Sequence, residues 1–463
     1  MKLVNRAEEL RHLDSLWEAK TAQLVVIYGK RRVGKTALIR AFIDQKPNIY
    51  FLADKSTEAE NLRLLGRALG EHFADPLLAK HGLKDWYDGF EYLKRHVKTP
   101  MVLAIDEFPY LVEANKALSS VLQKAWDETL KTLPLYLMLC GSSIGMMEQE
   151  TLAYRAPLYG RRTAQLLVKP LAFAEAHQFY PHLGFADFLS VYAVAGGNPA
   201  YLLKLKEAGA LPESMQRSIF SPTELLFQEI EFLLKEELRE PRVYMSILRA
   251  IASGCRKFGE IVNETGIEKS SLHKYLFTLQ DLHLIGKEVP VTEKRPDQSR
   301  KGLYYLHDPF VKFWFTHVYP FKAAIELGNG HLALKHWKAR LDSSLASLYE
   351  TVAQEILAKH QGRLFAFGRI GRWWEHNEEI DVVAVNDQTN QILFAEVKWS
   401  TRPVGTNIYQ ELRRKASLVP WGKKGRGEFF ALFSRSGFTP EMRRLSKTEG
   451  VLLFKEDRCA GSY

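Results

Sequence analysis

The segment Gly29-Lys30-Arg31-Arg32-Val33-Gly34-Lys35-Thr36 constrains this chain more than any other feature. It follows an apolar, β-prone run, Leu24–Tyr28, and leads into a helical stretch beginning at Lys35. Glycines at its two ends let backbone N–H groups converge on phosphate oxygens. Lys35 supplies a point charge for β- and γ-phosphates, and the Thr36 hydroxyl is a ligand for Mg²⁺. The helix that opens here adds the positive end of its dipole. Such a loop belongs between a strand and a helix, so the expected core is α/β with a parallel sheet. Gly29, Arg31, Arg32, Val33, Gly34, Lys35 and Thr36 are the expected contacts to ATP.

A second element fits the same site. The apolar run Met101–Ile105 ends directly in Asp106-Glu107. A strand terminating in two carboxylates suits a magnesium partner, Asp106, and a residue that orients and activates water, Glu107. A third strand-like run, Leu135–Cys140, ends in Gly141-Ser142-Ser143. There either Ser142 or Ser143 could sense the γ-phosphate. Downstream, Arg162 and its neighbour Arg161 form a pair that approaches the phosphates, approaches a neighbouring subunit's site, or remains a solvated basic couple.

At 463 residues the chain is too long for one core. Its 46% hydrophobic and 25% charged content is that of a globular protein. A net charge of +10 favours a polyanionic partner. Cys140, Cys255 and Cys459 lack metal spacing, which fits a reducing cytoplasm rather than a disulfide scaffold. The charged residues at the start do not read as a signal peptide, and no stretch approaches the ~20 apolar residues of a membrane span. Oligomeric state is left open, a homo-oligomer included.

The residues Val4–Leu10, Gly29–Thr36, Ala104–Leu111, Cys140–Ser143, Leu158–Arg162, Gly196–Leu202 and His307–Phe315 together resemble the prokaryotic "archaeal ATPase" family. That family is a branch of the STAND group within the AAA+-like P-loop ATPases. The resemblance spans nearly the whole chain, with 316–345 matching least. It implies an α/β multidomain fold: an ATPase core at 1–165, a helical lid at 166–235, a winged helix at 236–320 and a restriction-endonuclease-like α/β domain at 321–463.

Within the third segment, Phe258–Thr265, the turn Gly266-Ile267-Glu268 and Lys269–Leu282 read as a helix-turn-helix. Leu272, Leu276 and Leu279 mark the buried face of the second helix, leaving Lys269, Ser270, His273 and Lys274 to face outward. A strand-like basic segment from Ile285 to Tyr305 carries Lys294, Arg295, Arg300 and Lys301, suited to phosphate contacts. The module either touches DNA or serves as packing.

In the last segment a helix through Tyr349–Lys359 precedes expected strands at 364–369, 379–386 and 391–398. If Asn386 pairs with Gln391, Asp381 falls opposite Glu396, and Lys398 lies on the same face as Glu396. Two carboxylates facing each other in an apolar hairpin make sense if they clamp a divalent cation, with Lys398 assisting catalysis. Glu350 is a candidate to complete the metal shell, and Mg²⁺ or Mn²⁺ the candidate ion. The arrangement resembles the PD-(D/E)xK nuclease core, with Ile380 where the pattern's name has proline. Basic Arg413, Arg414, Lys415, Lys423, Lys424 and Arg426 follow, as a DNA-holding surface or a solvated face.

Two functions follow. One is an ATPase whose nucleotide state controls DNA binding and metal-dependent DNA cleavage, in a role such as defence or mobile-element maintenance. The other is an ATP-dependent switch that regulates DNA or a partner and carries an inactive nuclease-like domain.

Overall fold

Three continuous apolar runs make the centre of the first sheet: β1 (Gln23–Tyr28), β3 (Met101–Asp106) and β4 (Leu135–Gly141), buried at every position. Parallel strands covered on both faces need such unbroken runs. Shorter, half-buried β2 (Asn48–Leu52) and β5 (Ala164–Leu167) form the edges. The order is β2-β3-β4-β1-β5, all parallel. Residues 164 and 165 were expected to close the core and 166 to open a helical lid. Pairing of β5 with β1 from Ala164 to Leu167 instead carries the sheet past that boundary.

The computed structural model describes residues 4–362 and 365–460. It divides into two compact units, Met1–Leu171 with Asn198–Ala200, and Ala172–Gly197 with Tyr201–Tyr463. In the first, the helix Lys35–Ile43 lays Leu38, Ile39 and Phe42 onto the sheet. Each such side chain contributes about 1.5–3 kcal/mol by burial. The helix Ala7–Glu18 adds Leu13, with Leu10 and Leu16 partly covered, at the helical spacing seen in the sequence.

The second unit begins with helices, among them Phe185–Ala195 and Leu225–Glu237. Then come Pro241–Ala252, Phe258–Thr265 and Lys269–Asp281. Gly266 takes the left-handed φ of 68° that ends the middle helix and turns the chain. Leu272, Leu276 and Leu279 are buried as their spacing requires. An antiparallel pair follows, β6 (Ile285–Glu288) with β7 (Leu303–Leu306).

The long helix Gly330–Lys359 begins within the stretch that shows little pattern in sequence. It precedes β8 (Arg369–Glu375), β9 (Glu378–Asn386), β10 (Gln391–Lys398), β11 (Gly427–Ser434), β12 (Leu452–Lys455) and β13 (Arg458–Cys459). Sheet order is β13-β12-β11-β10-β9-β8. The β8–β10 meander is antiparallel; β10, β11 and β12 run parallel, joined by helices Thr406–Ser417 and Pro440–Glu449. The strand expected at 364–369 lies further on. Leu364 is outside the described residues, and Phe365 and Phe367 are buried without strand pairing. Arg369–Glu375, which does pair, lacks the alternation that marks a strand in sequence because most of its positions are half-covered on both faces.

Candidate functional site

In a parallel sheet, loops that leave the carboxyl ends of the strands share one rim. Here that rim carries the loop after β1, Asp106 at the end of β3 with Glu107 just beyond it, and Ser142 after β4. Gly29 has φ 147°, and a Cβ there would lie 2.4 Å from the Val168 carbonyl oxygen, so no side chain is tolerated. Arg32 and Gly34 also have positive φ, at 64° and 97°, which curls the loop. Lys35 Nζ is buried and donates to the carbonyls of Gly29, at 2.8 Å, and Lys30, at 2.9 Å. Thr36 Oγ1 donates to Asp106 Oδ2 at 2.8 Å. The expected magnesium pair therefore meets directly.

Glu107 takes a left-handed backbone, φ 57°. Its carboxylate accepts from Ser142 Oγ at 3.0 and 2.8 Å and from the Ser142 N–H at 3.4 Å. Ser142 thus holds the expected water-activating group. Arg31 donates to the Tyr110 hydroxyl at 2.9 Å, and buried Val33 offers its carbonyl to Arg6 at 3.1 Å. Arg162 donates to the Thr151 carbonyl at 3.0 Å and lies over Tyr159, while Arg161 forks onto Asp127.

Three participants carry contacts that the sequence does not show, two of them, Arg6 and Asn198, within the family-like segments. Tyr50, on edge strand β2, donates to Asp106 Oδ2 at 2.7 Å. Burial, then that bond, pushes its phenol above the usual range. Arg6 reaches the carbonyls of Val33 and Lys169, fastening the segment before the first helix to the phosphate loop. Asn198 donates to the Arg31 carbonyl at 3.3 Å. Glycines and a proline flanking Asn198 signal a turn, but not its spatial neighbour.

The second site lies at the end of the β9–β10 hairpin. Gln391 pairs with Asn386, and the ladder runs to Ala395 opposite Val382. The next pair in that register is Glu396 opposite Asp381. Both carboxylates are buried. Asp381 Oδ2 accepts the Val397 N–H at 2.8 Å. Glu396 Oε1 accepts Lys398 Nζ at 2.7 Å and Lys415 Nζ at 3.5 Å, whereas its Oε2 is buried without a hydrogen-bond partner. Burial, then the facing Glu396, raises the Asp381 pKa. Burial would lower Lys398, but Glu396 and Asp381 outweigh it and raise its pKa.

Glu350 projects from the long helix, with Oε2 3.6 Å from Arg372 Nε. Burial, then Asp381, pushes its pKa up to about 7. Among the described residues no three His, Cys, Asp or Glu side chains gather closely enough to hold a metal ion. Asp381 and Glu396 stand as a pair, and Glu350 faces an arginine. The unpartnered Glu396 oxygen beside a second carboxylate fits a hard divalent cation.

Four of the six basic residues after this hairpin are engaged within the fold, whereas Lys423 and Lys424 stay exposed. Arg413 pairs with Glu449, Arg414 with Glu378 and Glu411, and Arg426 with Glu428 and three backbone carbonyls. Lys415 turns inward to Glu396. By contrast, Lys294, Arg295 and Arg300 are exposed before β7, while Lys301 bridges Glu293 and Glu375. Lys269, Ser270, His273 and Lys274 all face solvent. No helix among the described residues is long and apolar enough to cross a membrane.

Residues 3–205 match a family described as an ATPase domain predominantly from Archaea, and 314–412 one described as archaeal and bacterial proteins of unknown function. The MJECL04 protein of Methanocaldococcus jannaschii is 37% identical over 424 residues, 90% of this chain and 92% of its own length. A 43-residue stretch is 51% identical to the ATP-binding protein MJ0423 of the same organism, covering 9% of this chain and 73% of that one. Among solved structures, the Walker-type ATPase PABY2304 of Pyrococcus abyssi has a similar fold. Its TM-score is 0.50 at 23% identity, over 68% of this chain and 96% of that one.

Proposed function

Because the chain belongs to the archaeal-type P-loop ATPase family, we propose that its ATP cycle governs DNA binding and metal-dependent DNA cleavage by the second unit. At the first site Gly29–Thr36 cradles the triphosphate, with Lys35 leaving its two carbonyls for phosphate oxygens. Thr36 and Asp106 are the residues that would hold Mg²⁺. Glu107 orients and deprotonates water, and Ser142 sets the carboxylate's position.

In the second unit, the segment 241–306 acts as a winged helix on DNA, with Lys294, Arg295 and Arg300 on phosphates. Asp381 and Glu396 would hold Mg²⁺ or Mn²⁺. When bound, such an ion polarises a phosphodiester and lowers the pKa of water. Lys398 balances charge at the reacting phosphate, and Asp381 is fixed for its role by the Val397 N–H. The observation that carries this reading is the buried Asp381–Glu396 pair with Glu396 Oε2 unpartnered. Two opposed acids in an apolar hairpin are costly unless they serve a cation.

A second reading has its own support. Lys398 and Lys415 both lie on Glu396, and Glu350 on Arg372, so the acids already have internal counter-ions. That favours a DNA- or partner-binding switch with a structural C-terminal domain. Incubating the full chain with plasmid and linear DNA, Mg²⁺ or Mn²⁺, and with or without ATP separates the two. Cleavage should vanish equally in Asp381→Ala, Glu396→Ala and the double variant, while ATP turnover survives. Lys398→Ala should lose cleavage but retain DNA binding. No cleavage of any DNA by the wild type would select the switch.

A further inference from the structure

One cleft in the second unit gathers charge and an aromatic ring from three separate segments. Lys257, Arg300, Lys301, Trp374, Glu375 and His376 line it, around a volume of about 350 Å³. Lys257 precedes the helix Phe258–Thr265, and Arg300 and Lys301 lead into β7. Trp374–His376 lie at the tip where β8 turns into β9, with His376 in a left-handed backbone, φ 53°. The segments are fastened together. Val291 N–H donates to the Arg372 carbonyl at 2.9 Å, and Arg369 donates to the carbonyls of Val291, at 2.8 Å, and Glu293, at 2.9 Å. Lys301 ties Glu293 to Glu375 across the cleft wall, at 3.3 and 3.0 Å.

Lys301 is therefore neutralised, but other charges remain available. Arg300 is exposed and makes no ion pair or hydrogen bond to a described residue, and Lys257 meets Glu260 only at 4.0 Å. Half-buried Trp374 stacks on no ring among the described residues. Cations beside an unused indole face suit a phosphate joined to a flat heterocycle. The volume is at the small end for ligand sites and accommodates one nucleotide, not a duplex. Inside a duplex both faces of a base are already stacked, so a base on Trp374 must come from a strand that has left its partner.

We propose that this cleft binds one nucleotide of single-stranded DNA, with the base on Trp374 and its phosphate on Arg300 and Lys257. The inference rests on the reading of this unit as DNA-binding and adds a preference for unpaired strands. The same chemistry is offered by a free nucleotide, and the test distinguishes the two.

Fluorescence anisotropy of a labelled oligothymidylate, and of a duplex of equal length, is measured on the full chain without ATP. Trp374→Ala should weaken single-strand binding at least about fivefold while duplex affinity stays within about twofold. Trp374→Phe should restore the single-strand affinity. Arg300→Ala should weaken the single strand and reduce its salt slope by about 1. Lys447→Ala, exposed on the helix Pro440–Glu449 and outside the cleft, should leave both affinities unchanged. Failure of dTMP to compete at the oligomer's own concentration supports a strand; full competition overturns the strand and assigns a free nucleotide. Single-strand affinity unmoved by both Trp374→Ala and Arg300→Ala overturns the cleft, as does a wild type that binds duplex and ignores single strands. In those two cases the DNA reading survives; a chain that binds neither form overturns both. Should Trp374→Ala fold poorly, exposed Arg300→Ala decides by losing more affinity for the single strand than for the duplex; equal losses overturn the cleft.

Discussion

Glu350 offers a direct measure of how the second site is electrostatically arranged. Its carboxyl titrates near 7 instead of its ordinary 4.5, first because it is buried and then because Asp381 lies close. A carboxyl with a raised folded pKa contributes stability that is fully present below its unfolded pKa and is lost as pH rises through the folded value. Between pH 4.5 and 8 the wild type should therefore lose about 3 kcal/mol through this residue alone. With a quarter of its side chain exposed, at 24%, little of that figure is screened by solvent. Glu350→Gln keeps the shape and removes the titration. At pH 8 with chelator present, it should melt about 5 °C above the wild type in the transition of this unit, and the two should coincide near pH 4.5.

Adding Mg²⁺ or Mn²⁺ at pH 8 extends the test. If Glu350 completes a metal shell, the ion draws its pKa down and the wild type recovers stability that the glutamine variant does not. If the ion is held by Asp381 and Glu396 alone, both proteins gain equally. A gap between variant and wild type that stays constant from pH 5 to 8 would refute the burial argument. Glu350 would then ionise like a surface acid, and burial would not be what raises its pKa.

Two further outcomes are expected elsewhere. Lys35→Ala should abolish ATP binding by equilibrium dialysis, whereas Glu107→Gln should still bind ATP but turn over at least about 100-fold more slowly, because the amide keeps a contact to Ser142 but cannot take a proton. His317, buried with Nδ1 3.1 Å from His336 Nδ1, is pushed down to about 3 by burial and then by His336 and Arg340. It stays neutral while its unfolded form gains a proton, so stability should fall by about 2 kcal/mol from pH 6.5 to 5. His317→Leu should flatten that acid limb in chemical denaturation.

What the sequence revealed, and what it hid, follows from how local each determinant is. The phosphate loop was legible because its glycines, lysine and threonine are consecutive and their chemistry permits few other residues. β1, β3 and β4 were legible because complete burial forces unbroken apolar runs. β2 and β5 were not, since an edge strand covered on part of its surface need not be apolar throughout. The hairpin register follows from the polar loop once Asn386 pairs with Gln391, as it does, and continuing that ladder by one step sets Asp381 opposite Glu396.

Long-range partners had no such signal. Tyr50 on Asp106, Arg372 on Glu350 and Lys415 on Glu396 span 56, 22 and 19 residues, and no local periodicity links them. The basic stretch from Arg413 to Arg426 shows the reverse failure. In sequence it offers six basic residues and no acid to DNA. In the fold the helix Thr406–Ser417 turns Lys415 toward the acids, while Arg413 and Arg414 find carboxylates from other elements. Charge density along a chain measures supply; which charges remain for a partner depends on the acids that tertiary packing brings beside them. By that criterion the exposed cations before β7 leave more charge unmatched by internal acids than this helix does.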